Sequence, residues 1–175
     1  ISYMMATGLS TAGMIRVSNQ IGKGNLKGMR EAGMVVFGMV VAFMFVCAML
    51  FFAFRFFLPT LYIDDPEVIA LSASLLIIAG FFQLSDGVQV VGLGVLRGLE
   101  DVKVPTLVTL MAYWVLGLPL GYVLAFPLGW AEKGIWIGLL IGLTITAVML
   151  FYRFHVLSKR KIDQANSTFK SNPVY

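Results

Sequence analysis

The sequence has little charge, one cysteine and one histidine, and these shortages exclude several classes of protein. Charged residues make up 13% of the 175 residues, whereas soluble domains carry about 25%. Cys47 has no partner for a disulfide within the chain, so the sequence is not a secreted disulfide scaffold. His155 is alone, and the sequence contains no metal-ligand cluster and no Ser/His/Asp or Cys/His arrangement. We therefore expect no enzyme and no cofactor.

Long apolar runs dominate the chain instead. Apolar residues make up 59% of the sequence, and the mean hydropathy is +0.88. The runs 34–54, 104–131 and 134–152 contain no charge, and each is long enough, or nearly so, for the roughly 20 residues that cross a bilayer. The net charge of +4 comes from basic residues at segment ends, so it does not indicate a nucleic-acid partner. The composition predicts an all-α, polytopic transmembrane helix bundle in a lipid bilayer.

Short polar connections divide the chain into helical segments. We place these segments near residues 1–15, 31–54, 68–96, 104–126 and 134–154. The first is too short to span, so we expect it to be the end of a helix whose beginning is missing. The transmembrane part occupies 1–158, and 159–175 form a polar tail that is disordered from Asp163 onward. Lys and Arg concentrate in the first, third and last connections, so we expect these, and the C-terminus, on the cytoplasmic side of the plasma membrane.

Asp86 is the only charged residue in the remaining long apolar run, 68–96. A carboxylate deep in a span costs about 2.5–3.5 kcal/mol to insert, and by default it marks an ion or proton site. Gln83 and Gln89 lie three residues to either side, so the three side chains form a polar stripe over about 120° of the helix. The carboxylate can bind Na⁺ through oxygen, or take up a proton because burial disfavours its charged form. The alternative is a carboxylate paired with a basic residue of a missing helix.

Pro119 and the neighbouring rings of Tyr113 and Trp114 each have two interpretations. Pro119 lies inside a span, where a proline removes a hydrogen bond and bends the helix. It is either a hinge in a moving bundle or a static kink. Tyr113 and Trp114 lie near mid-span, where a ring can stack on a cationic substrate or fill the core. In the last span, small residues recur at every fourth position from Gly134 to Thr146, which predicts close packing on another helix.

Three parts of the sequence resemble the multidrug and toxic compound extrusion (MATE) family, in particular its NorM-like bacterial branch. The family's cytoplasmic helix end is similar to STAGMIRVSNQIGKGN, and its tenth transmembrane helix with the following loop is similar to FFQLSDGVQVVGLGVLRGLEDVKVP. Its last two helices resemble YWVLGLPLGYVLAF and GIWIGLLIGLTITAVMLFYRF. The resemblance implies the C-terminal part of a twelve-helix antiporter, starting at the end of the eighth helix.

The resemblance also implies a function and a site. Members export organic-cation drugs and toxins, driven by Na⁺ or H⁺, through alternating access of two six-helix lobes, and the N-terminal lobe would be the partner of this one. Asp86 matches the acid of the cation site in the C-terminal lobe, which also takes a glutamate from the seventh helix that this chain lacks. Some members carry a tyrosine four residues before this aspartate, where this chain has Phe82. We expect Phe82, Tyr113 and Trp114 to line the substrate cavity.

Two rival interpretations keep a membrane bundle but change its function. An exporter of lipid-linked saccharides needs a cluster of basic residues for phosphates, and the predicted spans lack one. A channel or non-transporting membrane subunit predicts rings of pore-lining polar residues from symmetry-related chains. One acid beside a proline-kinked helix fits alternating access better.

Overall fold

The computed structural model describes residues 2–171 of the chain, with side chains as far as residue 167. Every regular element in this part is a helix. The elements are α1 (Ser2–Gly22), α2 (Leu26–Phe54), α3 (Phe57–Thr60), α4 (Pro66–Gly98), α5 (Lys103–Met111), a π-helical segment (Ala112–Gly117), α6 (Leu118–Ala125) and α7 (Ala131–Ser171). Within the described residues, four stretches are long and apolar enough to cross a membrane: Leu26–Phe54, Pro66–Gly98, Lys103–Ala125 and Ala131–Ser167. The predicted all-α transmembrane bundle is confirmed.

Glycine and two side-chain caps determine where the first spans begin. Gly24 follows α1 with a φ of +69°, a conformation that glycine adopts without the steric cost of a Cβ atom. Asn25 then caps α2, because its side-chain oxygen accepts a hydrogen bond from the Gly28 N–H at 2.9 Å. The Asp65 side chain caps α4 by accepting from the Glu67 N–H at 2.9 Å. Both long helices therefore start at residues whose side chains satisfy otherwise unpaired backbone donors.

The centre of the bundle is α4, which packs against α1, α2 and α7. A glycine allows the contact with α2, since a Cβ atom at Gly87 would meet the Met44 side chain at 2.7 Å. The contact with α1 includes a hydrogen bond in which the Ser10 hydroxyl donates to the Val90 carbonyl at 2.7 Å. The helix that carries the intramembrane acid is therefore enclosed on three sides by other helices of the chain.

The small residues of the last span pack as the sequence predicts. The backbone of α7 lies against α6 and the π-helical segment, and a Cβ atom at Gly138 would collide with the backbone of Gly121. Gly134 approaches the backbone of Ala125 with the same closeness. Thr146 is fully buried, and its hydroxyl donates to the Gly142 carbonyl at 2.9 Å. Because glycine has no side chain, the two backbones come into close contact, and α6 and α7 form one tightly packed unit.

Two helix ends differ from the predicted segments. The first helix continues past residue 15 to Gly22, so the polar stretch after residue 15 is helical as well. The last helix continues past residue 154 to Ser171, so the part of the tail from Asp163 to Ser171 is helical where disorder was predicted. No proline or glycine occurs between Leu143 and Ser171 to end the helix. The rest of the tail, 172–175, lies outside the described residues.

Polar contacts join the helices at one end of the bundle, which we call the basic end because Lys23, Lys27 and the basic residues of α7 lie there. Arg153 of α7 forms two hydrogen bonds with the Asp101 carboxylate, at 2.5 and 3.1 Å. The Ser18 hydroxyl of α1 donates to the Gly98 carbonyl of α4 at 3.3 Å. A guanidinium nitrogen of Arg30 on α2 lies 3.3 Å from a ring nitrogen of His155 on α7. The ends of α1, α2, α4 and α7 are thus tied together.

Candidate functional site

Asp86 lies half-buried near the middle of α4, and no described residue gives its carboxylate a hydrogen bond or an ion pair. A buried carboxylate without a partner is costly. Asp86 therefore does not complete an ion pair among the described residues.

The two amides beside Asp86 have different surroundings. Gln89 is 8% exposed, and its side-chain oxygen accepts a hydrogen bond from the Tyr113 hydroxyl at 3.2 Å. Gln83 is 9% exposed, and its Nε2 is buried with no hydrogen-bond partner among the described residues. Gln83 lies three or four residues from Gly80 and Gly87, both of which face α2, so it belongs to that side of α4. The Gln89 amide is thus hydrogen-bonded, whereas the side-chain nitrogen of Gln83 has no partner among the described residues.

The two rings that the sequence places at mid-span separate in the structure. Tyr113 is half-buried and turned towards α4, where it reaches Gln89. Trp114 is 67% exposed and lies on the outside of the described bundle. Both rings also border a groove between α4 and α5, with Arg97 at its end nearer the basic end. The structure thus brings Tyr113, but not Trp114, to the amide next to the acid.

Phe82 lies one turn from Asp86 and packs against the last helix. Its ring meets that of Trp136 edge to face, with centroids 5.8 Å apart. This contact joins α4 to α7 on the side of the bundle away from the basic end. Its role in lining a substrate cavity stays a prediction.

Pro119 follows an irregular backbone segment rather than a simple bend. In the π-helical segment Ala112–Gly117, the Leu118 N–H donates to the Tyr113 carbonyl, five residues earlier. The sequence did not predict this segment, although a proline that cannot donate to the carbonyl of Val115 is a sufficient reason to disturb the regular ladder. Single π-helical turns occur frequently at functional sites. Here the turn carries the one ring that bonds to the amide beside Asp86.

The described residues offer no conventional metal centre. They contain no group of three or more His, Cys, Asp or Glu side chains that could hold a metal ion. A monovalent cation or a proton at Asp86 needs less, because one carboxylate and neighbouring amide oxygens supply oxygen ligands or a proton acceptor.

Comparisons with known proteins agree with this architecture. A model of the MatE family matches residues 1–123. A protein of Agrobacterium fabrum named "Probable multidrug resistance protein NorM" is 39% identical over 170 residues, which cover 94% of this chain and 37% of that protein. A protein of the same name from Mesorhizobium japonicum is 41% identical over 159 residues, which cover 88% of this chain and 34% of that protein. The chain thus spans about a third of the length of these curated relatives.

Solved structures show the same fold. The crystal structure of the eukaryotic MATE transporter AtDTX14 aligns with a TM-score of 0.81 at 24% identity, covering 93% of this chain and 38% of that chain. A MATE family transporter of the MOP superfamily in an inward-facing conformation aligns with a TM-score of 0.76 at 14% identity, covering 99% of this chain and 39% of that chain. At these identities the likeness shows the fold alone.

Proposed function

The chain belongs to the MatE family of membrane transporters, and from this membership we propose that it is the C-terminal part of an ion-coupled antiporter. The antiporter exports organic-cation drugs and toxins across the plasma membrane in exchange for Na⁺ or H⁺. Alternating access between this part and an N-terminal lobe moves the substrate. Asp86 is the residue to which we assign the coupling ion.

One observation carries the proposal: Asp86 is a half-buried carboxylate inside a span with no partner among the described residues. A coupling group must exchange ligands during the transport cycle, so it cannot be permanently paired. A carboxylate that holds Na⁺ or a proton in one state and releases it in the other meets this requirement. Substrate and ion sites of such transporters lie near the bilayer midplane, and Asp86 lies near the middle of α4.

The charges of the spans support a cationic cargo. The uncharged runs 34–54, 104–131 and 134–152 flank a run in which Asp86 is the only charge. A site whose one buried charge is negative attracts cations and repels anions. The exposed ring of Trp114 and the ring of Tyr113 can add cation–π attraction.

The test is transport by the full-length protein with Asp86→Asn, which keeps the shape of the side chain and removes its charge. We expect normal expression, because a neutral amide costs less than a charge in hydrocarbon, and a sharp loss of efflux driven by an imposed Na⁺ or pH gradient. Asp86→Glu should keep part of the activity with an altered dependence on Na⁺ or pH. The matched control is Asp64→Asn, which changes an exposed acid outside the spans.

The outcome separates a coupling residue from a structural one. If Asp86→Asn reaches the membrane in normal amounts and still couples efflux to either gradient, Asp86 is structural and the proposal is wrong. If Asp64→Asn loses as much efflux as Asp86→Asn, the assay reports a general effect of lost acids and does not support the assignment.

A further inference from the structure

A groove runs between α1 and α2 at the basic end, and its lining changes from polar to apolar along its length. Two helical stripes face each other across it. Its lining residues include Ala12, Arg16 and Gln20 of α1, and Glu31, Val35 and Met39 of α2. The groove lies on a different side of α1 from α4. It is separate from the site around Asp86.

The charges at the polar part of the groove are opposite and unpaired. Arg16 lies six residues before the end of α1 at Gly22, and Glu31 lies five residues after the start of α2 at Leu26. At 1.5 Å per residue, each is about 8 or 9 Å from its helix end, so both lie at nearly the same depth. No described residue forms a salt bridge with either, and the two do not pair with each other. The groove is therefore lined by a cation and an anion that form no ion pair.

Gln20 adds a hydrogen-bond acceptor without a donor. Its Oε1 is buried and has no hydrogen-bond partner among the described residues. The side-chain oxygen of the neighbouring Asn25 is not a second unpaired acceptor, because it already accepts a hydrogen bond from the Gly28 N–H. A buried acceptor left unpaired is unfavourable, and it is one turn of helix from Arg16. Asn25 Nδ2 and Gln20 Oε1 both lie within 3 Å of the position of a Cβ atom at Gly28, so Gln20 forms part of the polar wall of the groove.

Deeper in the groove the lining is apolar. Ala12 on α1 and Val35 and Met39 on α2 continue the two stripes away from the helix ends. Val35 and Met39 are both more than half exposed in the described bundle. An exposed apolar surface of this kind is suited to contact with a hydrocarbon chain.

We propose that this groove binds a phospholipid with a primary ammonium headgroup, phosphatidylethanolamine. Its phosphate accepts hydrogen bonds from the Arg16 guanidinium, and its ammonium donates to the Glu31 carboxylate. One acyl chain lies along Ala12, Val35 and Met39. Phosphatidylcholine fits less well because its quaternary ammonium has no N–H donor, and phosphatidylglycerol fits less well because it brings no cation to Glu31.

The test measures which lipid stays bound to the full-length protein. The protein is equilibrated with vesicles of equal parts phosphatidylethanolamine and phosphatidylcholine, repurified in mild detergent, and its retained lipids are quantified by mass spectrometry. We expect a several-fold enrichment of phosphatidylethanolamine over the vesicle ratio. Retention of both lipids in the vesicle ratio overturns the proposal.

Variants locate the enrichment in the groove. Arg16→Gln and Glu31→Gln should each abolish it, while Lys27→Gln and Glu100→Gln, which change exposed charges near the same end of the bundle, should keep it. Gel filtration and thermal melting confirm that each variant is folded. If a folded Glu31→Gln protein keeps the full enrichment, the lipid binds elsewhere and the proposal is wrong.

A second measurement distinguishes lipid from protein in the groove. A helix from the N-terminal part of the protein would cover the apolar stripe instead of an acyl chain. Ala12→Cys in an otherwise cysteine-free full-length protein should react with a membrane-soluble thiol reagent if lipid covers it. Protection of that cysteine, with labelling of a Gly38→Cys control on the exposed side of α2, overturns the proposal in favour of a protein occupant.

Discussion

The Tyr113 hydroxyl donates a hydrogen bond to the side-chain oxygen of Gln89 at 3.2 Å, which joins the π-helical segment to α4. Gln89 lies about one turn from Asp86 on α4. The irregular segment thus contacts α4 within about one turn of the intramembrane acid. We expect a movement of the segment to change the surroundings of the acid, and a change of charge at the acid to act on the segment.

Removing the Tyr113 hydroxyl should weaken this link without unfolding the bundle. A hydrogen bond of this kind contributes about 1 kcal/mol, so Tyr113→Phe should lower thermal stability only slightly. We expect slower ion-driven efflux, because the π-helical segment loses its hydrogen bond to Gln89, one turn from Asp86. Tyr122→Phe is the control, since Tyr122 is 62% exposed and belongs to the same helical stretch. Equal efflux from both variants would show that the hydroxyl has no functional role.

The ion pair between Asp101 and Arg153 should hold the loop after α4 against α7. Both side chains are partly exposed, at 17% and 32%, so we expect a coupling of only about 1 kcal/mol. Asp101→Asn and Arg153→Gln should each lower the melting temperature by about 2–4 °C, and the double variant should lose little more than either one. Additive losses from the two changes would contradict a direct coupling. Arg160→Gln, which changes an exposed arginine on the same helix, is the control.

The sequence predicts the spans better than their ends or their contacts. Long apolar runs have few alternatives to helix in a membrane, which is why four spans and their order are confirmed. Helix length in the polar tail was not predictable from composition, because the stretch from Lys159 to Ser171 is mostly polar and yet contains no proline or glycine to end the helix. The prediction of disorder after Asp163 gave polarity more weight than the absence of a breaker.

The candidate site also combines a residue that the sequence predicts with a contact that it does not predict. Asp86 is found from hydropathy alone, because a charge within an apolar run is a local feature. The bond between Tyr113 and Gln89 joins residues 24 apart in sequence, and it depends on the rotation that the π-helical turn gives to the ring. Neither the turn nor the rotation has a periodic signature. Tyr113 and Trp114 therefore cannot be distinguished from the sequence, whereas in the structure only Tyr113 reaches α4.

A side chain at Gly138 should separate the last two spans. A Cβ atom at this residue would collide with the backbone of Gly121, so Gly138→Leu should force α6 and α7 apart and strongly reduce the amount of folded protein. Gly38→Leu is the matched control, because no atom lies within 4 Å of a Cβ built at this helical glycine. Gel filtration of the two purified variants compares their folding. Similar behaviour of both would mean that the close approach is dispensable.

The loop before α4 and the loop after it should lie on opposite sides of the membrane, with the second one cytoplasmic. Position 64 is a better probe than Asp65, because Asp65 caps α4. Asp64→Cys and Lys103→Cys, each in an otherwise cysteine-free full-length protein, are treated with an impermeant thiol reagent in intact cells. We expect labelling at position 64 only. Labelling at position 103 only would reverse the proposed orientation.

Pro119 should act as a hinge because the backbone before it is already displaced from the regular helical ladder. The π-helical turn at Ala112–Gly117 contains one more residue than an α-turn, and Pro119 has no N–H with which to restore the bond to Val115. Pro119→Ala supplies that donor and lets the segment relax towards α-helix, which rotates residues on one side of the turn by about 100° relative to the other. The glycine contacts between α6 and α7 resist rotation of the later part, so the strain falls on the side that carries Tyr113.

We expect normal amounts of folded Pro119→Ala protein and a markedly slower ion-driven efflux, with Pro127→Ala, at an exposed proline outside the spans, as the control. Efflux at the wild-type rate from Pro119→Ala would identify a static kink, and the link from the segment to Asp86 would then serve packing alone.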